Sequence, residues 1–119
     1  MLVELLKSKI HRATVTDACL DYEGSITIDK ELMHAARLFS HEKVHVLNLN
    51  NGERFETYVI EGKQKSGTVC LNGAAARLVQ KNDLVIIAAY ISLTTEEAKS
   101  WQPKVVKVNA KNKIMDSKK

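Results

Sequence analysis

Short runs in which hydrophobic and polar positions alternate dominate the chain, and this two-residue period predicts strands more often than helices. Over residues 9–20, threonine, valine and isoleucine are frequent and alternate in part with polar residues, which suits a strand. Residues 25–28 continue in the same style after a polar break, Asp21-Tyr22-Glu23-Gly24, whose final glycine predicts a tight turn leading straight into Ser25. Asp29 then offers an N-cap oxygen ahead of Leu32, Met33, Ala35, Ala36 and Leu38, whose mixed i+3 and i+4 spacing predicts a short amphipathic helix. Asn50-Asn51-Gly52 separates strand-like runs at 44–49 and 54–60, and Asn-Gly is a strong hairpin signal. Further strands are predicted at 68–71, 84–90 and 104–108. Thr94-Thr95-Glu96-Glu97 has capping-box spacing and predicts a brief helix that ends before Pro103.

About six short strands with few helices and a single proline point to a mainly β domain, and closing the strands into a barrel would remove exposed edges. A chain of 119 residues, 45% of them hydrophobic, can bury one core, so residues 1–119 are expected to form one domain. The longest apolar stretch, 84–91, is far short of the ~20 residues that cross a bilayer, and no signal pattern opens the chain. A soluble, cytoplasmic protein without a membrane partner is expected. Cys19 and Cys70 lack Cys-x-x-Cys spacing and are too few for a disulfide framework, so two buried, reduced thiols are expected.

The formal charge of +4 raises the question of nucleic acid, but segment 104–119 alone carries six lysines against Asp116. The remainder is close to neutral, and no aromatic residues interleave with the lysines as a base-stacking surface requires. A solvated basic end is the expectation, and no nucleic-acid partner.

Familiar catalytic signatures are absent. The four histidines, His11, His34, His41 and His45, show no metal-ligand spacing with one another or with the cysteines, so no metal is expected. His34 and His41 are expected on polar surface and His45 facing solvent from a strand; His11 is the histidine close to other candidate groups. No Gly-rich phosphate loop or nucleophile elbow occurs. Asn72-Gly73-Ala74-Ala75-Ala76 places small residues after a strand, where exposed backbone N–H groups can bind a carboxylate; the plainer reading is a turn with alanines packed in the core. Gly24-Ser25 reads either as an ordinary turn or as a junction where the Ser25 hydroxyl attacks the unobstructed Gly24 carbonyl. Along the strand at 54–60, alternation puts Arg54 and Tyr58 on one face and Thr57 on the other, unless a bulge or twist turns all three into one pocket. An arginine there can fork two hydrogen bonds to a carboxylate and a tyrosine can deliver a proton, although a solvent-facing arginine and a half-buried strand tyrosine are the plainer readings.

Taken in order and spacing, these segments resemble the aspartate 1-decarboxylase family over residues 1–116. The resemblance rests on 7–16 (Lys7-Ser8-Lys9-Ile10-His11-Arg12-Ala13-Thr14-Val15-Thr16) and on Tyr22-Glu23-Gly24-Ser25-Ile26-Thr27-Ile28-Asp29. Asn51-Gly52, Arg54 with Thr57-Tyr58, Asn72-Gly73-Ala74-Ala75, the strand ending at Tyr90, and Gln102-Pro103 follow in order. It implies a six-stranded double-psi β-barrel with short helices, assembled as a homotetramer with active sites between neighbouring subunits. It further implies a precursor that cuts itself between Gly24 and Ser25 into chains 1–24 and 25–119, leaving a pyruvoyl group from Ser25 as the only cofactor. That group would form a Schiff base with L-aspartate and release carbon dioxide and β-alanine for pantothenate and coenzyme A synthesis. By the same resemblance Lys9 and Arg54 recognise substrate carboxylates, Thr57 assists processing and binds substrate, Tyr58 is the proton donor, and Asn72 with Gly73, Ala74 and Ala75 completes the pocket. Which carboxylate Lys9 and Arg54 each grip is left open, as is whether a maturation factor assists the cut. Two rival readings are a β-barrel binding module whose Gly24-Ser25 bond stays intact, distinguished by salt-sensitive nucleic-acid binding, and a family member that folds without maturing.

Overall fold

The computed structural model describes residues 1–115, in which eight strands alternate with three short helical segments. The order is β1 (Leu2–Thr14), β2 (Asp17–Cys19), β3 (Ser25–Asp29), α1 (Lys30–Ala35), β4 (Lys43–Asn48), β5 (Arg54–Gly62) and β6 (Val69–Asn72). A 3-10 turn (Gly73–Leu78), β7 (Leu84–Thr94), α2 (Thr95–Ala98) and β8 (Lys104–Lys107) complete it. The domain is mainly β with short helices, as the alternation predicts.

The local signals act as expected. Asp29 caps α1 by accepting from the Glu31 amide at 2.8 Å, and its carboxylate also accepts from the amides of Lys65 and Gly67. Asn50-Asn51-Gly52 turns β4 into β5, with Gly52 at φ +79°, a region glycine enters without steric cost. Thr94 and Glu97 form the capping box that starts α2.

Neighbouring strands run in the order β2-β6-β3-β5-β4-β7-β1-β8. Its closure lies in the junction of β1 and β2. β1 pairs with β7 at one side, and only Val15 and Thr16 separate it from β2, which pairs with β6 at the other. Thr16 bridges the two by exchanging hydrogen bonds with Val69 through its amide and hydroxyl. Counting β1 and β2 as one bent strand gives a closed ring of six, with β8 added outside along Ser8 to His11. Closure leaves few unpaired backbone groups, so such short strands are held without long edges.

Inward positions fill the ring. Ile10, Ile26, Ile28, Val44, Val46, Val59, Val69, Leu71 and Val85 are fully buried, each contributing about 1.5–3 kcal/mol on removal from water. All but Leu71 are β-branched, which suits the pleated wall.

The structure departs from expectation in three places. The first strand starts at Leu2, ahead of the predicted Lys9, because β7 runs on to Thr94 and its far end pairs with Leu2 to Leu6. Cys19 is exposed and Cys70 partly so, not buried, because Cys19 ends the three-residue strand β2; both thiols are free. The basic segment over 104–115 keeps its lysines exposed, as expected, but is docked and not a loose end: β8 pairs with β1, Val106 and Val108 are buried, and the buried Asn112 amide bonds both the N–H and C=O of Thr14. Residues 116–119 of that prediction lie outside the described residues. His34 and His41 are exposed, as expected, while His45 faces outward half-covered by Tyr90, the rings 5.1 Å apart.

Candidate active site

The predicted residues gather where β3, β5 and β6 meet. β3 pairs antiparallel with β6, setting Ser25 opposite Asn72, and parallel with β5, setting Ile26 opposite Val59. Continuing the second register by one residue brings Ser25 beside Tyr58, and by two brings Gly24 beside Thr57. Directly paired residues share a sheet face. Ile26, Leu71 and Val59 therefore point into the core, whereas Ser25, Thr27, Cys70, Asn72 and Tyr58 belong to the outer face.

Ser25 is nonetheless fully buried, because the chain before it and the turn after β6 fold over it. Its hydroxyl donates to the Glu23 carbonyl at 3.1 Å and accepts from Asn72 Nδ2 at 2.9 Å. The same Nδ2 donates to Thr27 Oγ1 at 3.0 Å, and the Cys70 thiol donates to Asn72 Oδ1 at 3.3 Å. Burial pushes the Cys70 thiol above its ordinary pKa, with Asp17 and Cys19 adding to the shift. The thiol therefore stays protonated and able to donate at neutral pH.

Gly73 makes the overlying turn. It sits at φ +65°, and a Cβ there would come within 2.6 Å of Gly24 N, 2.7 Å of Gly24 Cα and 2.8 Å of Tyr22 O. Only glycine lets the Tyr22-Glu23-Gly24 segment lie this close. Gly73→Ala is expected to cost roughly 3 kcal/mol from left-handed backbone strain and the backbone clash together. Denaturant unfolding checks this, and a wild-type midpoint would show that the segment moves aside freely.

An open cleft of about 430 Å³ adjoins this junction, lined by Gly24, Phe55, Glu56, Thr57, Tyr58, Ala74, Ala75 and Leu78. Thr57 and Tyr58 both reach it although they alternate. The β4–β5 ladder runs from Lys43↔Tyr58 to Leu47↔Arg54 without a register shift, so no bulge reorients Thr57. Thr57 opposes the buried Val44, Tyr58 the exposed Lys43, and the cleft is shared because it lies across the strand's margin.

Lys9 and Arg54 do not line this cleft. Arg54 is exposed at the start of β5, about 13 Å along the strand from Tyr58 at strand rise. Lys9 lies farther round the ring: the registers run Glu56↔His45, His45↔Ala88 and Ala88↔Lys9. That row places Lys9, Arg54 and Tyr58 on one outer face, with Lys9 about 14 Å from Glu56 at usual strand spacing. Close by, His11 Nδ1 is buried without a hydrogen-bond partner among the described residues, and its pKa is lowered by burial first and then by Lys9, Arg12 and Lys107. Among the described residues, no group of three or more His, Cys, Asp or Glu is placed to hold a metal ion. No helix there is long and apolar enough to cross a membrane.

Sequence reasoning missed the roles of Thr27 and Cys70 around Asn72. Strand alternation puts residue 70 on the face of 72, but the pairing partner that brings Ser25 and Thr27 opposite them is set by topology.

Comparison with known proteins agrees with this geometry. The family described as aspartate decarboxylase matches residues 1–115. An aspartate 1-decarboxylase of Caldicellulosiruptor saccharolyticus is 67% identical, covering 97% of this chain and 90% of the relative. Another, from Caldicellulosiruptor bescii, is 64% identical over the same shares. That of Acetivibrio thermocellus is 61% identical, covering 99% and 94%. With a family match over residues 1–115 and relatives 61–67% identical over nearly the whole length, the chain belongs to the aspartate decarboxylase family.

Proposed function

We propose that this aspartate 1-decarboxylase converts L-aspartate to β-alanine and carbon dioxide through a pyruvoyl group that it makes from its own Ser25. The observation that carries the reading is the Gly24-Ser25 junction, where a buried serine hydroxyl held by Glu23 and Asn72 directly follows a glycine that lines the cleft.

Attack of Ser25 Oγ on the Gly24 carbonyl forms a C–O bond and breaks the peptide C–N bond, converting the amide to an ester. Elimination across the Ser25 Cα–Cβ bond then expels Gly24 as a carboxylate and leaves a dehydroalanine. Tautomerisation and hydrolysis release its nitrogen as ammonia. The donor from Asn72 Nδ2 suits an oxygen that becomes more negative as it loses its proton. Thr57 lies beside Gly24 in the cleft, where its hydroxyl can assist the cut and later bind substrate.

A small carbonyl fits here: Ser25 is enclosed, the Asn72 amide donates to its side chain, and alanines line the neighbouring cleft. Such a group supplies an electron sink for the bond to the departing carboxylate of an amino acid. The protein's residues do the rest. Tyr58, which lines the cleft, would return a proton to the carbon that loses carbon dioxide, and Ala74 and Ala75, which also line it, would bound the pocket together with the adjoining Asn72 and Gly73.

The two cations, Lys9 and Arg54, would hold one substrate carboxylate while the other occupies poorer surroundings from which it can leave. Both lie on the outer face, away from the cleft of their own chain. Packing that face against the Gly24-Ser25 junction of another copy would supply the missing cations, and this supports a homotetramer with shared sites. A cytoplasmic role in supplying β-alanine for pantothenate and coenzyme A follows from the same reading.

The deciding measurement is the intact mass of the purified protein under denaturing conditions, before and after prolonged warming, with aspartate decarboxylation assayed in parallel. The expected result is two chains, one ending at Gly24 and one starting at position 25 and lighter by one ammonia than a serine-headed chain. A chain that remains whole, even with added cell extract, while decarboxylating aspartate would sink the pyruvoyl reading.

A further inference from the structure

Each polar atom of the Asn72 side chain is committed. Its two N–H bonds point to Ser25 Oγ and Thr27 Oγ1 at 2.9 and 3.0 Å, and its carbonyl oxygen receives the Cys70 thiol at 3.3 Å. An amide has nearly the same shape with oxygen and nitrogen exchanged, so shape alone does not select its orientation. The Thr27 hydroxyl does not select it either, since it can donate or accept; Ser25 favours an N–H only while its own proton stays on the Glu23 carbonyl, at 3.1 Å. A thiol is a donor of modest strength and a poor acceptor, and it is the partner of Oδ1.

We infer that Cys70 is a positioning residue, whose thiol fixes the sense of the Asn72 amide so that an N–H rather than a carbonyl oxygen faces Ser25 Oγ. This rests on the self-cleavage reading above. The strand geometry favours it: Cys70 and Asn72 share one face of β6, and Cys70 opposes Thr27 while Asn72 opposes Ser25. Four side chains thus form one square on two paired strands.

The amide's sense matters when Ser25 Oγ loses its proton. An N–H aimed at the oxygen stabilises the charge that grows there, whereas a carbonyl oxygen would repel it and would hold the serine proton in place. Without the thiol, only the Ser25 proton's bond to the Glu23 carbonyl opposes a flip, and once that proton turns to the amide oxygen part of the population presents the wrong atom.

The test compares the first-order cleavage rate of purified, full-length precursor in wild type, Cys70→Ala and Cys70→Ser, with thermal midpoints measured alongside. Cys70→Ala is expected to cut about fivefold more slowly, the scale of one weak hydrogen bond expressed in a barrier. Cys70→Ser, which keeps a donor at the same position, should restore the rate to about wild type by that same scale. Loss through packing alone would instead lower the midpoint and leave serine no better than alanine. Wild-type cleavage by Cys70→Ala, or an equal defect in both variants, overturns the inference while leaving self-cleavage intact. If wild type itself never cuts, the self-cleavage reading fails separately. The amide is then read by NMR in the uncut chain, where contacts from the Asn72 side-chain protons to Thr27 should weaken in Cys70→Ala; unchanged contacts overturn the inference.

Discussion

Ser25→Ala is expected to yield a single, full-length chain that releases no carbon dioxide from aspartate. The substitution deletes the one oxygen placed to attack the Gly24 carbonyl, so the chain lacks both the cut and the carbonyl group that follows from it. Folding should survive. Asn72 loses one of its two N–H partners but keeps Thr27, and Glu23 loses a single donor to its carbonyl. The cost is about 1–3 kcal/mol for groups left unpaired, against the 5–15 kcal/mol typical of a domain. The strand itself is anchored by Ile26 and Ile28, which the change does not touch. Denaturing mass spectrometry should show one chain and circular dichroism an unaltered β spectrum. Aspartate turnover at the wild-type rate by this variant would eliminate Ser25 as the source of the reactive group.

Tyr58→Phe should separate maturation from turnover. The ring stays in place, half-buried on the outer face with its centroid 6.2 Å from that of His41. The phenolic oxygen makes no hydrogen bond among the described residues, so stability should stay within about 0.5 kcal/mol of wild type. The proposed cleavage uses Ser25, Gly24, Thr57 and Asn72 but not Tyr58, so the mass pattern should match wild type. Only the proposed proton donor disappears, and general-acid loss of this kind lowers kcat by about 10²–10⁴-fold. A kcat equal to wild type in fully cut protein would take Tyr58 out of that role.

Much of this architecture can be read from short-range chemistry. Asp29 ahead of an apolar i+3/i+4 run, Asn51-Gly52 between alternating segments, and Thr94 three residues before Glu97 each act within a few residues of themselves. The structure places all three where local signals put them. The ring closure is different, since nothing near Val15 and Thr16 states that β1 leaves β7 for the company of β6. That partnership is fixed by which strand faces are apolar across the whole molecule. The same distinction holds at the site. Gly24-Ser25 and Asn72-Gly73 are legible as pairs of unusual small or polar residues, but that one folds over the other is visible only in the contact between Gly73 and Gly24. Cys70 and Thr27 carry no signal until strand pairing sets them around Asn72. Alternation did correctly assign Tyr58 and Thr57 to opposite faces, and the unbroken β4–β5 ladder removes the bulge that would have reconciled them.

The bent strand formed by β1 and β2 bears on what a cut at Gly24 does to the life of the protein. Both lie before the cut, and they close the ring against β7 on one side and β6 on the other. The short fragment would be a stave of the barrel, gripped by backbone hydrogen bonds along its length, so the two pieces stay together while folded. Once unfolded, however, they would drift apart, and reassembly would need an encounter between separate molecules. Refolding would change from a concentration-independent event into one that fails on dilution. The precursor can fold by itself; the mature enzyme would keep its shape chiefly by never letting go of it.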